Sequence, residues 1–363
     1  MTITTTEPSA AAHRPPSWWE RQTDRVMRRP LNEWTFTHMN WLLPTARVAR
    51  GRAGNPLPAQ PRPLDVTYEF GEWEHSIEDL HQRTFTTAFV VLHQGRIVHE
   101  QYRGVFAVPR TRMQLFSVSK SVTSMLVGIA LADGAIGSVA DKVTEYRPDF
   151  LGTAYDGVTI ADLLDMRSGA GEEETWGPDS AIRRFERAVL SGGDVAEIVR
   201  SVPRGCEPGE RFNYSTFDAQ VLGWVLEAAT GVPLAAYASE RLWQPIGAVT
   251  DAFYGLSRSK PRTAISAGGL NATARDLARV GQVMAEGGGL LAPAPSEAPG
   301  YSNQWWTFPG GRFSGIGVHG QYLFVDPAAS VVIVKTSAWP VEEDDALEQE
   351  SIAALTAVAG SLA

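Results

Sequence analysis

Phe116-Ser117-Val118-Ser119-Lys120-Ser121 opens a helical pattern over residues 117–133, and its reading decides how the rest of the chain is understood. Val118, Val122, Met125, Leu126 and Ile129 recur at the spacing of one helix face, while Ser117, Lys120, Ser121 and Ser124 fall on another. Gly134 stops the pattern. Residues three apart on a helix share a face, so Ser117 and Lys120 are set side by side. A serine hydroxyl is a poor nucleophile until a base lies within hydrogen-bond reach. Lysine can be that base when burial or nearby cations lower its pKa, and this one starts an otherwise apolar helix. A helix start also turns backbone N–H groups toward the serine, and that of Ser117 is a candidate donor to an oxyanion. Alone, Ser-x-x-Lys is a short pattern of common residues. Its weight comes from the segments that accompany it.

Pro208-Gly209-Glu210-Arg211-Phe212-Asn213-Tyr214-Ser215-Thr216 leads into a strong helical pattern over residues 217–230. A tyrosine in such a loop can point its hydroxyl into a cleft. A lysine nearby is expected to lower the phenol pKa, which makes Tyr214 the expected proton relay between serine and leaving group. Gly317-Val318-His319-Gly320-Gln321 is expected to open a strand whose glycines let an acyl group approach its edge. A strand N–H in the His319, Gly320, Gln321 region is the expected second oxyanion donor, and His319 is a candidate partner of substrate or Tyr214. Residues 168–181 carry Glu172, Glu173, Glu174, Trp176 and Asp179 and read as a surface loop beside the site, a candidate lid. Its carboxylates could meet a substrate ammonium, and Trp306 is a further substrate candidate.

Composition narrows the class. The chain has 363 residues, 44% hydrophobic and 20% charged, enough for one large domain or two ordinary ones with a buried core. A net charge of −9 argues against nucleic acid or an anionic membrane as partner. One cysteine, Cys206, excludes an internal disulfide and suits a reducing compartment. There is no basic segment leading an apolar one at the N-terminus, and the apolar run at residues 125–132 is too short to span a bilayer. The expectation is a cytoplasmic protein without a membrane or nucleic-acid partner. No Gly-x-Ser-x-Gly occurs. None of the seven histidines forms His-Glu-x-x-His, so no metal is expected. Residues 315–320 match Gly-x-Gly-x-x-Gly but lead into strands rather than a helix, so no dinucleotide is expected either, and no cofactor of any kind.

Along the chain, residues 1–16 read as a tail and residues 17–50 as an arm. The arm carries Trp18, Trp19, Trp34 and Trp41, which should fold over the body. Residues 51–63, with four prolines, read as a linker. A hairpin over residues 88–102 turns at Gln94-Gly95. Residues 135–250 are mostly helical, one helix spanning 158–166. Residues 315–321, 322–326 and 330–337 read as strands, and 346–359 as a closing helix. Strands at both ends with helices between suggest an α/β body split by an insertion. The expected division is 1–60 for tail and arm, 61–135 with 251–363 for the α/β domain, and 136–250 for the helical domain.

The order of Ser117-x-x-Lys120, Leu163-Leu164-Asp165-Met166-Arg167-Ser168-Gly169, the Tyr214 segment, residues 267–278 and His319-Gly320-Gln321 resembles the serine β-lactamase and penicillin-binding-protein superfamily. The branch looks like that of the class C β-lactamases and their esterase and amidase relatives. Asn303-Gln304-Trp305-Trp306, residues 315–321, Val325-Asp326-Pro327 and Ser337-Ala338-Trp339-Pro340 are similar to amidases of 6-aminohexanoate oligomers. The likeness spans residues 30–360. It implies a β-lactamase-like α/β (α+β) fold, an antiparallel sheet flanked by helices with an inserted all-helical domain and the site between them. It also implies an acyl-enzyme on Ser117 with Lys120 and Tyr214 as the basic pair. Two departures count against β-lactam hydrolysis. Tyr214-Ser215-Thr216 stands where many relatives have Tyr-x-Asn, which removes a side-chain amide. His319-Gly320-Gln321 stands where β-lactamases have Lys-Thr-Gly, which removes a cation. The reading is a hydrolase of small-molecule amides. A carboxylesterase with the same machinery, a D-amino-acid peptidase or β-lactamase, and a non-catalytic penicillin-binding-like module stand as alternatives. The oligomeric state, a homodimer included, is left open.

Overall fold

A computed structural model describes residues 25–52, 54–171, 173–177, 179–288, 291–294, 298 and 300–363. Its centre is a seven-stranded antiparallel sheet. In spatial order the strands are Arg96–Tyr102, Thr86–His93, Val331–Ser337, Gln321–Asp326, Arg312–Gly317, Trp305–Phe308 and Gly300–Ser302. Successive side chains in a strand point to opposite faces. Val90, Leu92, Val332 and Val334 therefore enter one apolar cluster, while Phe89, Val91, Val331 and Ile333 enter another. Both faces are covered, so the central strands are apolar almost throughout. Helices Val118–Ala132 and Ala274–Ala285 lie on the first face, and the closing helix Asp345–Gly360 on the second. The edge strand Arg96–Tyr102 does not expose its ladder. Residues of the proline-rich linker run beside it, with Gln60 N–H donating to Ile97 O at 2.8 Å and Ile97 N–H to Pro58 O at 2.9 Å.

A second sheet, ordered Thr45–Val48, Ala252–Gly255, Leu270–Ala272 and Met113–Gln114, delivers the chain directly to Ser117. Between the two chain ends lie the helices Ile160–Leu164, Ala181–Ser191, Val195–Arg200, Thr216–Thr230 and Leu234–Ala238. Thr216–Thr230 packs on Val118–Ala132, which brings the Tyr214 loop over the start of the serine's helix.

Three sequence expectations change. The helix placed at 158–166 is only Ile160–Leu164, capped by Thr159 at its start and closed where Met166 takes a φ of 55°. The strand placed at 315–321 ends at Gly317. His319 and Gly320, with φ of 60° and 83°, turn the chain there, and Gln321 starts the next strand. The arm does fold over the body, through Phe36 at 0% exposure, yet Trp41 is 73% exposed. Trp18, Trp19 and the tail lie outside the described residues.

Candidate active site

Ser117 occupies the N-cap of helix Val118–Ala132, and its hydroxyl makes no capping bond. The residue before it, Phe116, has a φ of 47°, an uncommon conformation for a side chain of this size. Phe36 of the arm packs edge-on against the Phe116 ring at 4.9 Å, and His319 lies 5.4 Å away on its other contact. Packing from the arm thus holds the turn that presents Ser117.

Lys120 is 1% exposed. Its Nζ donates to Ser117 Oγ at 2.7 Å, to Thr216 Oγ1 at 3.2 Å and to the Ala267 carbonyl at 3.2 Å. Burial pushes its pKa down to about 8, and the Glu174 carboxylate opposes that shift. Tyr214 behaves contrary to the sequence expectation. Desolvation pushes its phenol above the ordinary value, and the hydrogen bond with Ser117 pulls the other way without winning. Lys120 sits over the tyrosine ring, but its charge does not dominate.

These groups open onto a cavity of about 460 Å³. Ile316, Gly317 and Val318 form one wall, and Phe212, Tyr214 and Trp306 an aromatic one. Trp306 stacks on Tyr214 at 5.7 Å, with Tyr301 edge-on to both. Gly317 runs against the nucleophile's own backbone. A Cβ there would lie 2.5 Å from Leu115 O and 3.1 Å from Ser117 N, so only glycine allows the approach.

The structure brings together Ser117, Lys120, Tyr214, Glu173, Glu174, Trp176 and Trp306. It does not bring His319, Gly320 and Gln321 to the cavity wall. The turn at His319 sends these residues inward. His319 is 1% exposed, with Nδ1 2.9 Å from Trp339 O. Gln321 donates from Nε2 to His319 O at 2.9 Å and Ser337 O at 2.8 Å, joining strands. Gly320 packs on the Trp339 indole, where a Cβ would collide. Val318, rather than Gln321, lines the cavity. Asp179 is exposed and outside the lining, and Glu172 falls outside the described residues.

Sequence reasoning missed a second set of acidic lining residues. Among the described residues, Glu342, Glu343 and Glu348 line the cavity with Glu173 and Glu174, against one cation, Arg211. Nothing local marks them. They precede or start the closing helix and reach the site through the chain that follows the last strand, which lines the cavity from Trp339 onward. Among the described residues, no group of three or more His, Cys, Asp or Glu side chains is arranged to hold a metal ion.

Residues 73–357 match the Beta-lactamase family model, and the chain belongs to that family of serine hydrolases. It is 33% identical over 370 residues to the 6-aminohexanoate-dimer hydrolase of Paenarthrobacter ureafaciens, covering 92% of this chain and 90% of that protein. Esterase EstB of Burkholderia gladioli is 35% identical over 150 residues, 38% of this chain and 37% of its own. Among solved structures, a candidate 6-aminohexanoate-dimer hydrolase from Bacillus anthracis superposes with a TM-score of 0.84 at 22% identity, covering 96% of this chain and 99% of that one. A class C beta-lactamase in complex with cefoxitin superposes with a TM-score of 0.58 at 16% identity, covering 78% and 96%. The family and the β-lactamase-like fold inferred from the ordered motifs are therefore established.

Proposed function

We propose that this hydrolase cleaves the amide bond of linear ω-amino-acid amides, compounds of the 6-aminohexanoate-dimer kind, through an acyl-enzyme on Ser117. The observation that carries the substrate is the cavity lining, five glutamates against one arginine around a buried Ser–Lys pair. Such a cavity favours a substrate with a free ammonium and an apolar linker. The 33% identity to a 6-aminohexanoate-dimer hydrolase over nearly the whole chain supports the same choice.

Lys120 in its neutral form takes the Ser117 proton as Oγ attacks the carbonyl. The N–H groups of Ser117 and Val318 receive the oxyanion, each worth about 3 kcal/mol. Tyr214 stays protonated at neutral pH and gives its proton to the leaving amine. Lys120 then returns the proton it took to the tyrosinate, which restores both groups before water attacks. Water then releases the acyl group. An esterase would use the same groups, and the partial likeness to Esterase EstB favours it as the second reading. A panel of short p-nitrophenyl esters, nitrocefin and linear ω-amino amides, with the Ser117 adduct mapped by peptide mass spectrometry, tests the proposal. Faster turnover of amides with a free amine supports it. Turnover of esters alone moves the protein to the second reading, and an adduct on another serine removes the mechanism.

A further inference from the structure

Lys120 has three hydrogen-bond partners, and all three are oxygens: Ser117 Oγ, Thr216 Oγ1 and the Ala267 carbonyl. As an ammonium it spends one proton on each. As a neutral amine it has two protons and one lone pair. Only one arrangement makes it a base for Ser117: both protons stay on Thr216 and Ala267, and the lone pair faces the serine. The carbonyl can do nothing but accept. A hydroxyl, however, can accept or donate. If Thr216 turned its proton toward Nζ, it would occupy the lone pair and disable the base.

Glu174 removes that option. Its Oε1 accepts the Thr216 hydroxyl proton at 3.0 Å, and its Oε2 accepts the Thr216 backbone N–H at 2.7 Å. A carboxylate is acceptor-only, so the Thr216 proton is committed and its free lone pairs face Lys120. Both Glu174 oxygens are thereby engaged, which withdraws this residue from the loop carboxylates free to meet a substrate. The position matters because relatives with Tyr-x-Asn carry a planar amide there, whose oxygen is fixed by its own geometry. A hydroxyl rotor needs a neighbour to set it.

We propose that Glu174 is a positioning residue for the reaction: by holding the Thr216 hydroxyl proton it makes Thr216 an obligatory acceptor and aims the Lys120 lone pair at Ser117. The inference rests on the Ser117–Lys120 reading above. Other ionisable groups do not supply the same effect. Tyr214 meets Lys120 through its ring face, Glu343 and Glu348 line the cavity without bonding Lys120 or Thr216, and Asp218 is turned to Ser168 and Tyr155.

The test is the rate of fluorophosphonate labelling at Ser117 as a function of pH, in wild type, Glu174→Gln, Thr216→Val, Thr216→Ser and the Glu174→Gln/Thr216→Val double variant. Thermal melting confirms that each is folded. In Glu174→Gln the plateau rate at high pH is expected to fall about 10-fold or more. The midpoint of the rise should also move down by roughly half a unit or more, because a carboxylate near the lysine is gone. That shift follows from the lost charge alone, and the plateau reads the positioning: a residue that only capped the helix Thr216–Thr230 would leave the plateau in place. Thr216→Val should lose a comparable factor, Thr216→Ser should retain the wild-type plateau, and the double variant should be no slower than Thr216→Val. The inference is overturned by a Glu174→Gln plateau equal to wild type, whatever the midpoint does, or by losses that multiply in the double variant. If Glu174→Gln does not fold, Thr216→Val labelling at the wild-type rate overturns it equally. Absence of labelling at Ser117 in wild type is a different result, which removes the serine mechanism itself and this inference with it.

Discussion

Lys120 Nζ lies 5.0 Å from the centroid of the Tyr214 ring. The ring face attracts the charged lysine. Burial disfavours that charge and dominates, leaving a pKa of about 8. The phenol is pushed the opposite way by the same desolvation. One partly dry site thus makes a base of one group and keeps the other an acid.

The pH profile follows from those directions. The neutral lysine is the active form, so kcat/KM for an uncharged ester is expected to rise about tenfold per unit below the lysine midpoint and level off above it. The raised phenol should give no falling limb up to about pH 10. Steady-state kinetics across that range checks both. A flat profile through neutrality would show that Lys120 is not the base.

Tyr214→Phe and Tyr214→Ala should differ. Phenylalanine keeps the ring beneath Lys120 and the stack on Trp306 but loses the proton. Its amide turnover should fall about 100-fold or more, with esters hurt less, since an alcohol leaves more readily unprotonated. Alanine should also shift the lysine midpoint. Identical pH profiles for the two variants would exclude a role for the ring.

Gly317→Ala places a methyl 2.5 Å from Leu115 O and 3.1 Å from Ser117 N. The strand must move away from the nucleophile. Turnover should drop about 100-fold, with a stability loss of about 1–3 kcal/mol, read by kcat and chemical denaturation together. Wild-type kcat would mean that the spacing of strand and serine does not matter to the oxyanion.

What the sequence carried was local or ordered. Ser117 and Lys120 meet because helical spacing puts them together, and Tyr214 was marked by the turn before a strong helix. Apolar runs bounded by turn residues marked strands within 88–102 and 330–337, and both runs are buried in the sheet. What it hid depends on conformation or on distant contacts. A left-handed φ at His319 broke a strand that the residue pattern continues, turning Gln321 from the cavity. Glu342, Glu343 and Glu348 join the site only through the tertiary path of the last strand. Thr216 looked like a lost amide, and its meaning needs Glu174, 42 residues away.

Lys335 is a second buried lysine, 0% exposed, with Nζ on Ser337 Oγ at 2.7 Å beneath the closing helix. Burial lowers its pKa from 10.5 to about 7. The unfolded chain therefore binds more protons between those values, and this group's contribution to stability is lost as pH falls from above 10 toward 7. Lys335→Met should gain about 1–3 kcal/mol at pH 7, after the cost of leaving Ser337 unpaired. That advantage should shrink as pH rises toward 10. Urea unfolding of both proteins at pH 7, 8 and 9 measures it, and a gain independent of pH would mean that Lys335 is not neutralised on folding.

The acidic wall makes a claim about substrate. Glu343 and Glu348 line the cavity, and desolvation together with Glu343 and Asp345 raises the Glu348 carboxyl. An ammonium placed there would relieve that repulsion. Glu342 contributes less, being paired with Arg183 at 2.5 Å. A free ω-amino amide is expected to exceed its N-acetyl counterpart in kcat/KM by roughly 5- to 150-fold, the range of a contact worth about 1–3 kcal/mol. Glu343→Gln and Glu348→Gln should each narrow that ratio, with Glu173→Gln, on the exposed loop, narrowing it least. High salt should erode a contact at the mouth more than one inside. Equal constants for both substrates in wild type would leave the wall a solvated acidic surface and favour the esterase.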